Sequence, residues 1–388
     1  MKLRKEIWNK VKIENVASIV GGGTPKRSNP EYFKGDILWI GPTEIPKDRI
    51  RIISETNEKL TSEAIQKSSA KILPIGTVLF TTRATVGEVA IAGKEIATSQ
   101  SLENFVCNSD KIDNWYLAYW LKGNQRLIHS LSAGTTFKGI TRNILAKIEI
   151  PLPLLEEQKQ IAALFQSIET AIEHVDGQEK NLKALQKTLV NGLLSKEPVF
   201  GNILNKKNCT VTTFGEIAEC DKRYPEHEKE VERFIGLEFI EADNFQLQGF
   251  GLVANGTTFS KRFVKDDVLF GKRRAYLKKV AVADFDGICS GDILVIRAKA
   301  KKMLQGLLPY YISADAFIQH AVTTSAGSLS PRTKWKDLAE LEVSIPDIKA
   351  QSTILEVLQQ LVNTLNQLKQ QRITLKNLKQ KLLNEILG

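Results

Sequence analysis

Apolar residues recur at every seventh position from Ile161 through Ile168, Val175, Leu182 and Leu189, and the same spacing returns in Ile354, Leu361, Leu368, Leu375 and Leu382. A companion row three residues further on, Leu164, Ala171, Gln178, Leu185 and Gly192, is matched by Val357, Thr364, Gln371, Leu378 and Glu385. Held over about five heptads, this period predicts two long helices that pair as a coiled coil rather than lying flat on a core. Gln178 and Gln371 fall at equivalent positions of the second row, where a polar side chain costs stability but fixes register. Before each helix the pattern shortens to β-branched runs, such as Ile37-Leu38-Trp39-Ile40, Thr77-Val78-Leu79-Phe80, Val89-Ala90-Ile91-Ala92, Lys279-Val280-Ala281-Val282 and Ile293-Leu294-Val295-Ile296. Gly, Asp and Asn interrupt them, so each globular part reads as a small α+β unit. The patch Trp115-Tyr116-Leu117-Ala118-Tyr119-Trp120-Leu121 reads as a core helix, with Leu308-Pro309-Tyr310-Tyr311-Ile312 and Phe317-Ile318 in its place further on.

That correspondence is general. Leu182-Lys183-Ala184-Leu185 returns as Leu375-Lys376-Asn377-Leu378, a shift of 375 less 182, or 193 positions. The same shift carries Ser132-Ala133-Gly134 onto Ser325-Ala326-Gly327, and Ile148-Glu149-Ile150 with Pro153 onto Leu341-Glu342-Val343 with Pro346. The fold class is therefore α+β, with two pseudo-repeated units joined by two long antiparallel helices. The expected boundaries are residues 1–153, a first helix over 154–196, residues 197–346 and a second helix over 347–388. Antiparallel pairing follows from chain path, because the second unit begins where the first helix ends and finishes where the second begins. Helices of about forty residues span roughly 60 Å, a spacing that suits two readers set one to two duplex turns apart, a turn being about 34 Å.

The net charge of +10 admits a polyanionic partner. What sharpens this is clustering in the globular parts: Lys26-Arg27, Lys261-Arg262, Lys272-Arg273-Arg274, Lys278-Lys279, Lys299 with Lys301-Lys302, and Arg332 with Lys334. No run of about eighteen apolar residues exists to span a bilayer, so a soluble, cytoplasmic protein is expected. Cys107, Cys209, Cys220 and Cys289 form no metal-ligand spacing and read as buried thiols.

Candidate DNA contacts follow from loop composition. Gly21-Gly22-Gly23-Thr24-Pro25-Lys26-Arg27 lacks the Gly-Lys-Ser/Thr ending of a triphosphate loop; it is either a phosphate-cradling turn or a plain strand connection. Thr81-Thr82-Arg83-Ala84-Thr85 and Gly271-Lys272-Arg273-Arg274-Ala275-Tyr276 follow the Leu-Phe strand in the two copies, with Arg83 and Arg274 aligned. Arginine's fixed fork suits guanine edges or phosphates. A second matched pair of loops is Thr135 and Lys138 with Arg142, and Ser328 with Arg332 and Lys334. Catalytic constellations are missing: Asn29-Pro30-Glu31-Tyr32 reads as a turn, and Glu157-Gln158-Lys159 lies at a helix start without a matching aspartate set. Two other classes compete with a DNA reader: a nuclease or methyltransferase with an unfamiliar site, and a basic coiled-coil adaptor.

Gly22-Gly23-Thr24-Pro25, Asn29-Pro30-Glu31-Tyr32-Phe33 and Gly35-Asp36-Ile37-Leu38-Trp39-Ile40, then Pro151-Leu152-Pro153-Leu154-Leu155-Glu156-Glu157-Gln158, are similar to motifs of the specificity subunits of type I restriction-modification enzymes, a resemblance that covers nearly the whole chain. It continues in Phe234-Ile235-Gly236-Leu237-Glu238, Val268 through Ala281 and Asp286-Gly287-Ile288-Cys289-Ser290. The second helix departs by opening Asp347-Ile348-Lys349-Ala350-Gln351. The resemblance implies a non-catalytic subunit with two target-recognition domains, each reading one half of a bipartite, asymmetric site on double-stranded DNA. The helices would set the spacer and dock two methyltransferase subunits through Glu156, Glu157, Gln158, Ile161, Gln351 and Ile354. S-adenosylmethionine, ATP and Mg would belong to partner subunits, including restriction subunits, and this chain would hold no cofactor or metal. The DNA-binding candidates are Thr24, Lys26, Arg27, Arg83, Thr135, Lys138, Arg142, Lys261, Arg262, Lys272, Arg273, Arg274, Lys278, Ser328, Arg332 and Lys334. Because the loops differ between copies, for example Gly21-Gly22-Gly23-Thr24 against Asp221-Lys222-Arg223-Tyr224, unlike half-sites are expected.

Overall fold

Strands form where the short apolar runs lie, and one sheet pattern is built twice. The computed structural model describes residues 5–83, 85–132, 139–194, 209–221 and 231–388. The chain divides into two units, residues 1–176 with 370–388, and residues 177–369. Thr135 and Lys138 lie outside the described residues, as do residues 222–224.

In the first unit Val78–Thr81, buried throughout, pairs antiparallel with Val89–Ala92 on one side and Leu102–Cys107 on the other. Ala17–Gly21 lies beyond the latter, and Ile52–Ile53 runs parallel to the former. A smaller sheet pairs Ile37–Ile40 antiparallel with Glu58–Leu60 and parallel with Ile96–Thr98. Strands covered on both faces read as continuous apolar runs rather than alternating ones, which is why Val-Leu-Phe was legible as a strand. The second unit repeats the arrangement. Val268–Gly271 lies between Val280–Val282 and Ile293–Ala298, with Ala218–Cys220 outside, and Arg233–Ile235 runs parallel to Gly287–Cys289. Each unit also joins its first strand to its last: Asn9–Lys12 to Glu149–Leu152, and Cys209–Thr213 to Glu342–Pro346.

The aromatic patch is core, as expected. Helix Asn114–Gly123 is capped by the Asp113 side chain, which accepts from the Tyr116 amide, and buries Tyr116 through Leu121. It packs with Ile161 and Phe165 of the first long helix, Leu155–Gly192, and with Leu383, Ile386 and Leu387 at the chain's end. In the second unit Leu308–Ser313 and Asp315–Thr323 take that place, packing with Val190 and Leu193 and with Ile354 and Leu358 of the second long helix, Ile348–Leu382. Within the first unit the long helices run antiparallel. Lys379 pairs with Glu169, and Arg372 lies 3.6 Å from Asp176, so numbers rise along one helix as they fall along the other.

One seam row is as expected in part: Ile161, Ile168, Val175, Ile354 and Leu368 are buried, and Leu182, Leu189, Leu361, Leu375 and Leu382 are half-buried. The other row is corrected. Gln178 and Gln371 are exposed, and Leu185 and Leu378 are 46% and 43% exposed, so neither glutamine sets a register. A seam alternates steps of four and three, and from Ile161 the first step is four. The buried partners are therefore Phe165, Ile172 and Glu179, and in the second helix Leu358, Leu365 and Lys379. All four cysteines are free, but only Cys220 and Cys289 are buried, while Cys107 and Cys209 are half-buried. Among the described residues no helix is long and apolar enough to cross a membrane.

Candidate nucleic-acid interface

In the first unit the glycine loop is a strand connection. Gly22 donates its amide to the Leu102 carbonyl and Gly23 to the Thr98 carbonyl, at 3.1 and 2.8 Å. These N–H groups are therefore engaged inside the fold rather than presented to a phosphate, which decides between the two readings. Glycine is required by proximity, since a Cβ on Gly22 or Gly23 would come within 2.1 Å of neighbouring backbone. The loop delivers Arg27 to an exposed shelf. Its guanidinium lies 4.4 Å from the Phe33 ring and 4.9 Å from the Trp39 ring, and donates through both terminal nitrogens to Glu58. The Arg27 side chain is 55% exposed, and its fork is taken by Glu58. Thr24 Oγ1 accepts weakly from the Gln100 amide at 3.4 Å, Lys26 is exposed, and Arg142 is tied to Glu103 at 2.9 Å.

Arg83 follows the Val78–Thr81 strand and bridges Gly139. Its counterpart is Arg273, which bridges Arg332, the residue 193 positions after Gly139. The flanking bonds agree: Thr82 is hydrogen-bonded to Ser101 and Ile140, and Lys272 to Asp292 and Thr333. The alignment of Arg83 with Arg274 is thus corrected by one position. Between Arg273 and Lys279 the second copy carries one residue more than the first does between Arg83 and Glu88, and Arg274 there takes φ 54°, in the left-handed region.

This junction gathers the basic residues of the second unit. Arg332 is forked onto Asp292, at 2.6 Å through Nε and 3.2 Å through Nη2. Arg273 reaches the same carboxylate at 3.6 Å and donates to Ser330 Oγ at 3.0 Å. The Arg274 amide donates to the Pro331 carbonyl at 2.8 Å. Lys272 is half-buried, and Ser328 and Lys334 are exposed on the same pair of loops. Lys261 and Lys278 are held by Asp221 and Asp315, and Arg262 is also engaged. Sequence reasoning did not single out Asp292. Its pairing with Arg332 spans 40 positions, so no local pattern revealed it.

Hydrogen bonds from Arg332 hold the Asp292 carboxyl below the usual carboxylate range, against the opposing effect of burial. A carboxyl depressed on folding contributes stability above its unfolded pKa, about 3.9, and loses it as pH falls through the folded value. The junction is expected to persist through neutral and mildly acid solution and to open below about pH 4. Amide protection factors of Arg274 and Arg332 should drop there. Wild-type protection in an Asp292→Asn variant at neutral pH would remove Asp292 as the fastener.

The residues expected to dock partners divide. Glu156 is exposed, and Glu157 accepts from the Trp8 indole at 3.2 Å. Gln158, Ile161, Gln351 and Ile354 are each fully buried, which withdraws them as surface contacts. Both glutamines are internal clamps. Gln158 donates to the Pro153 and Lys111 carbonyls and accepts from the Asp113 amide. Gln351 donates to the Pro346 and Lys302 carbonyls and accepts from the Leu304 amide.

Comparison with known proteins gives a concordant picture. The family model described as "Type I restriction modification DNA specificity domain" matches twice, over residues 5–184 and 206–377. The chain is 32% identical over 194 residues to the type I restriction enzyme MjaIX specificity subunit of Methanocaldococcus jannaschii, spanning 49% of this chain but only 45% of that relative. With the MjaVIII specificity subunit of the same organism it shares 22% identity over 98% of this chain and 92% of the relative. A solved structure of a type I restriction-modification S subunit from M. genitalium shares the fold, with a TM-score of 0.58 at 17% identity, covering 99% of this chain and 97% of that one.

Proposed function

Because the chain belongs to the type I restriction modification DNA specificity family, we propose that it is the DNA-reading subunit of such an enzyme and reads a bipartite, asymmetric site. Residues 1–153 and 197–346 are its target-recognition domains, one for each half-site. Residues 154–196 and 347–388 set the spacer and dock two methyltransferase subunits through surfaces near Glu156 and Glu157. Methyl transfer from S-adenosylmethionine, and any ATP- and Mg-dependent restriction, belong to those partners. This chain reads DNA in the cytoplasm and catalyses nothing.

The observation that carries the reading is the doubled junction. Arg83 and Arg273 stand on matching hydrogen-bonded frames, while their surroundings differ: Gly139 faces one and Arg332 the other. One scaffold with unlike contact residues is what reading two unlike half-sites requires, since side chains at base edges carry sequence information and phosphate contacts carry position.

Methylated adenines mapped in cells expressing the chain with its partner methyltransferase should fall in a split motif with a fixed gap. A single contiguous motif would overturn the proposal. Arg273→Ala should relax preference in one half-site and Arg83→Ala in the other, each by about 1–3 kcal/mol if the arginine is bidentate to a base. Removing one heptad from both helices should shorten the gap.

A further inference from the structure

Leu329 is 90% exposed, the most exposed large apolar side chain among the described residues. A lone surface leucine is ordinary, but this one is held in place from several sides. Ala326 and Arg332 exchange both backbone hydrogen bonds at 3.0 Å, and the chain reverses between them. Gly327, at φ 109°, makes a bend that other residues rarely adopt. From outside, Arg273 donates to Ser330, and Arg274 donates its amide to the Pro331 carbonyl and its guanidinium to the Leu329 carbonyl. Arg274 keeps these bonds from a left-handed backbone that a side chain of its size rarely takes. The leucine thus stands at the tip of a fastened hairpin, with Arg273 and Arg274 bonded to the tip, Arg332, Lys272 and Lys334 at or beyond its base, and Asp292 the carboxylate that pairs Arg273 and Arg332.

Such a cluster of basic residues attracts a polyanion, yet a leucine gains nothing from phosphates. On duplex DNA the apolar surface that a narrow tip can reach is the faces of stacked bases, and apolar wedges that part a base step and kink the duplex are a known mode of DNA recognition. We propose that Leu329 is such a wedge: it enters a base step of the half-site read by the second unit while the basic residues around it other than Arg273 hold the flanking phosphates. This rests on the proposal that the unit reads DNA. A protein partner fits less well, because excess cation around one leucine does not match an apolar protein patch.

The test uses the full chain assembled with its methyltransferase, and as probe the duplex that the wild-type complex selects from a randomised pool, scanned base by base with 2-aminopurine. Wild type should raise the fluorescence at one step of the second half-site. Leu329→Ala should abolish that signal and bind roughly tenfold more weakly, the order of effect that burying a leucine supplies, while Leu329→Met should retain both. Because the side chain lies in water, the alanine variant should unfold at the wild-type midpoint. A duplex with an abasic site at that step, already unstacked, should bind wild type and variant alike. Wild-type affinity and fluorescence in the alanine variant would overturn the wedge. So would a loss that vanishes when one thymine is replaced by uracil, which would mark a methyl contact, or a loss of methyltransferase assembly at equal DNA affinity. If the wild-type complex selects no duplex, the DNA-reading proposal itself fails.

Discussion

Replacing Gln351 by glutamate, or Gln158 likewise, destabilises its own unit by about 3 kcal/mol or more at neutral pH. The carboxamide of Gln351 faces two acceptors and one donor: the Lys302 and Pro346 carbonyls at 2.9 and 3.0 Å, and the Leu304 amide at 2.9 Å. Only a group with an NH2 and an oxygen satisfies all three. Gln158 does the same for Lys111, Pro153 and Asp113, at 3.1, 2.9 and 2.8 Å. Glutamate keeps the shape, turns both donors into acceptors facing carbonyl oxygens, and adds a buried charge. An acid in that position holds its proton above the ordinary carboxylate range. Its folded pKa is then raised relative to the unfolded chain, so the protonated form's share of stability is present at low pH and lost as pH rises through the folded value. The deficit should therefore be smaller at about pH 4 than at pH 7. Urea midpoints followed by circular dichroism measure it, with Glu156→Gln, exposed and nearby, expected within about 0.5 kcal/mol of wild type. Wild-type midpoints for the buried substitutions would show that the amide is no clamp.

These glutamines show where the sequence was legible and where it was not. The shift of 193 placed Gln351 on Gln158 and Pro346 on Pro153, so the equivalence could be read. Burial could not, because a polar residue in the first turn of a helix looks like surface, and its three partners come from distant backbone. The departure at Lys349-Ala350-Gln351 from Glu156-Glu157-Gln158 was itself the signal, since only the clamp residue survives it. The long helices were visible because one seam row is almost purely apolar. The second row was missed because Glu179 and Lys379, which occupy it, are buried yet polar, while the leucines one position away at 185 and 378 face water. Hydrophobic period alone therefore favoured the wrong step. At the candidate interface, composition announced an arginine after each Val-Leu-Phe strand. The one-residue insertion after Arg273, and the Asp292 that fastens Arg273 and Arg332, depend on pairing between distant loops and appeared only in three dimensions.

Glu169→Ala or Lys379→Ala should each cost the first unit about 3–5 kcal/mol, the penalty for stranding one charge of a buried pair. The two residues are 7% and 8% exposed and are 210 positions apart in sequence. Glu169 accepts from Lys379, from the Tyr119 hydroxyl at 3.0 Å and from the Ile50 amide at 3.5 Å, and burial with this carboxylate beside it pushes the Tyr119 hydroxyl up. The pair flanks a cavity of about 360 Å³ also lined by Lys47, Arg49, Glu88 and Lys122, so a stranded charge has other polar groups nearby but no matched partner. Lys379 also fastens the end of the second long helix. Beyond it, Leu383, Ile386 and Leu387 in the core, Leu382 packed against it and the Leu387 carbonyl, which accepts from Asn124 at 2.8 Å, tie that segment down. Lys379→Ala should therefore raise protease sensitivity within residues 370–388 before it lowers the melting temperature of the rest. Replacing both residues by methionine removes the charges together and fills their space, so most of the loss should return, because well-packed apolar groups substitute for buried ion pairs at little cost. In a cycle built from the two methionine singles and the methionine double, the double variant should then cost less than either single. Additive losses would mean that the two side chains act independently, and the helix end would have to be held by its apolar residues alone.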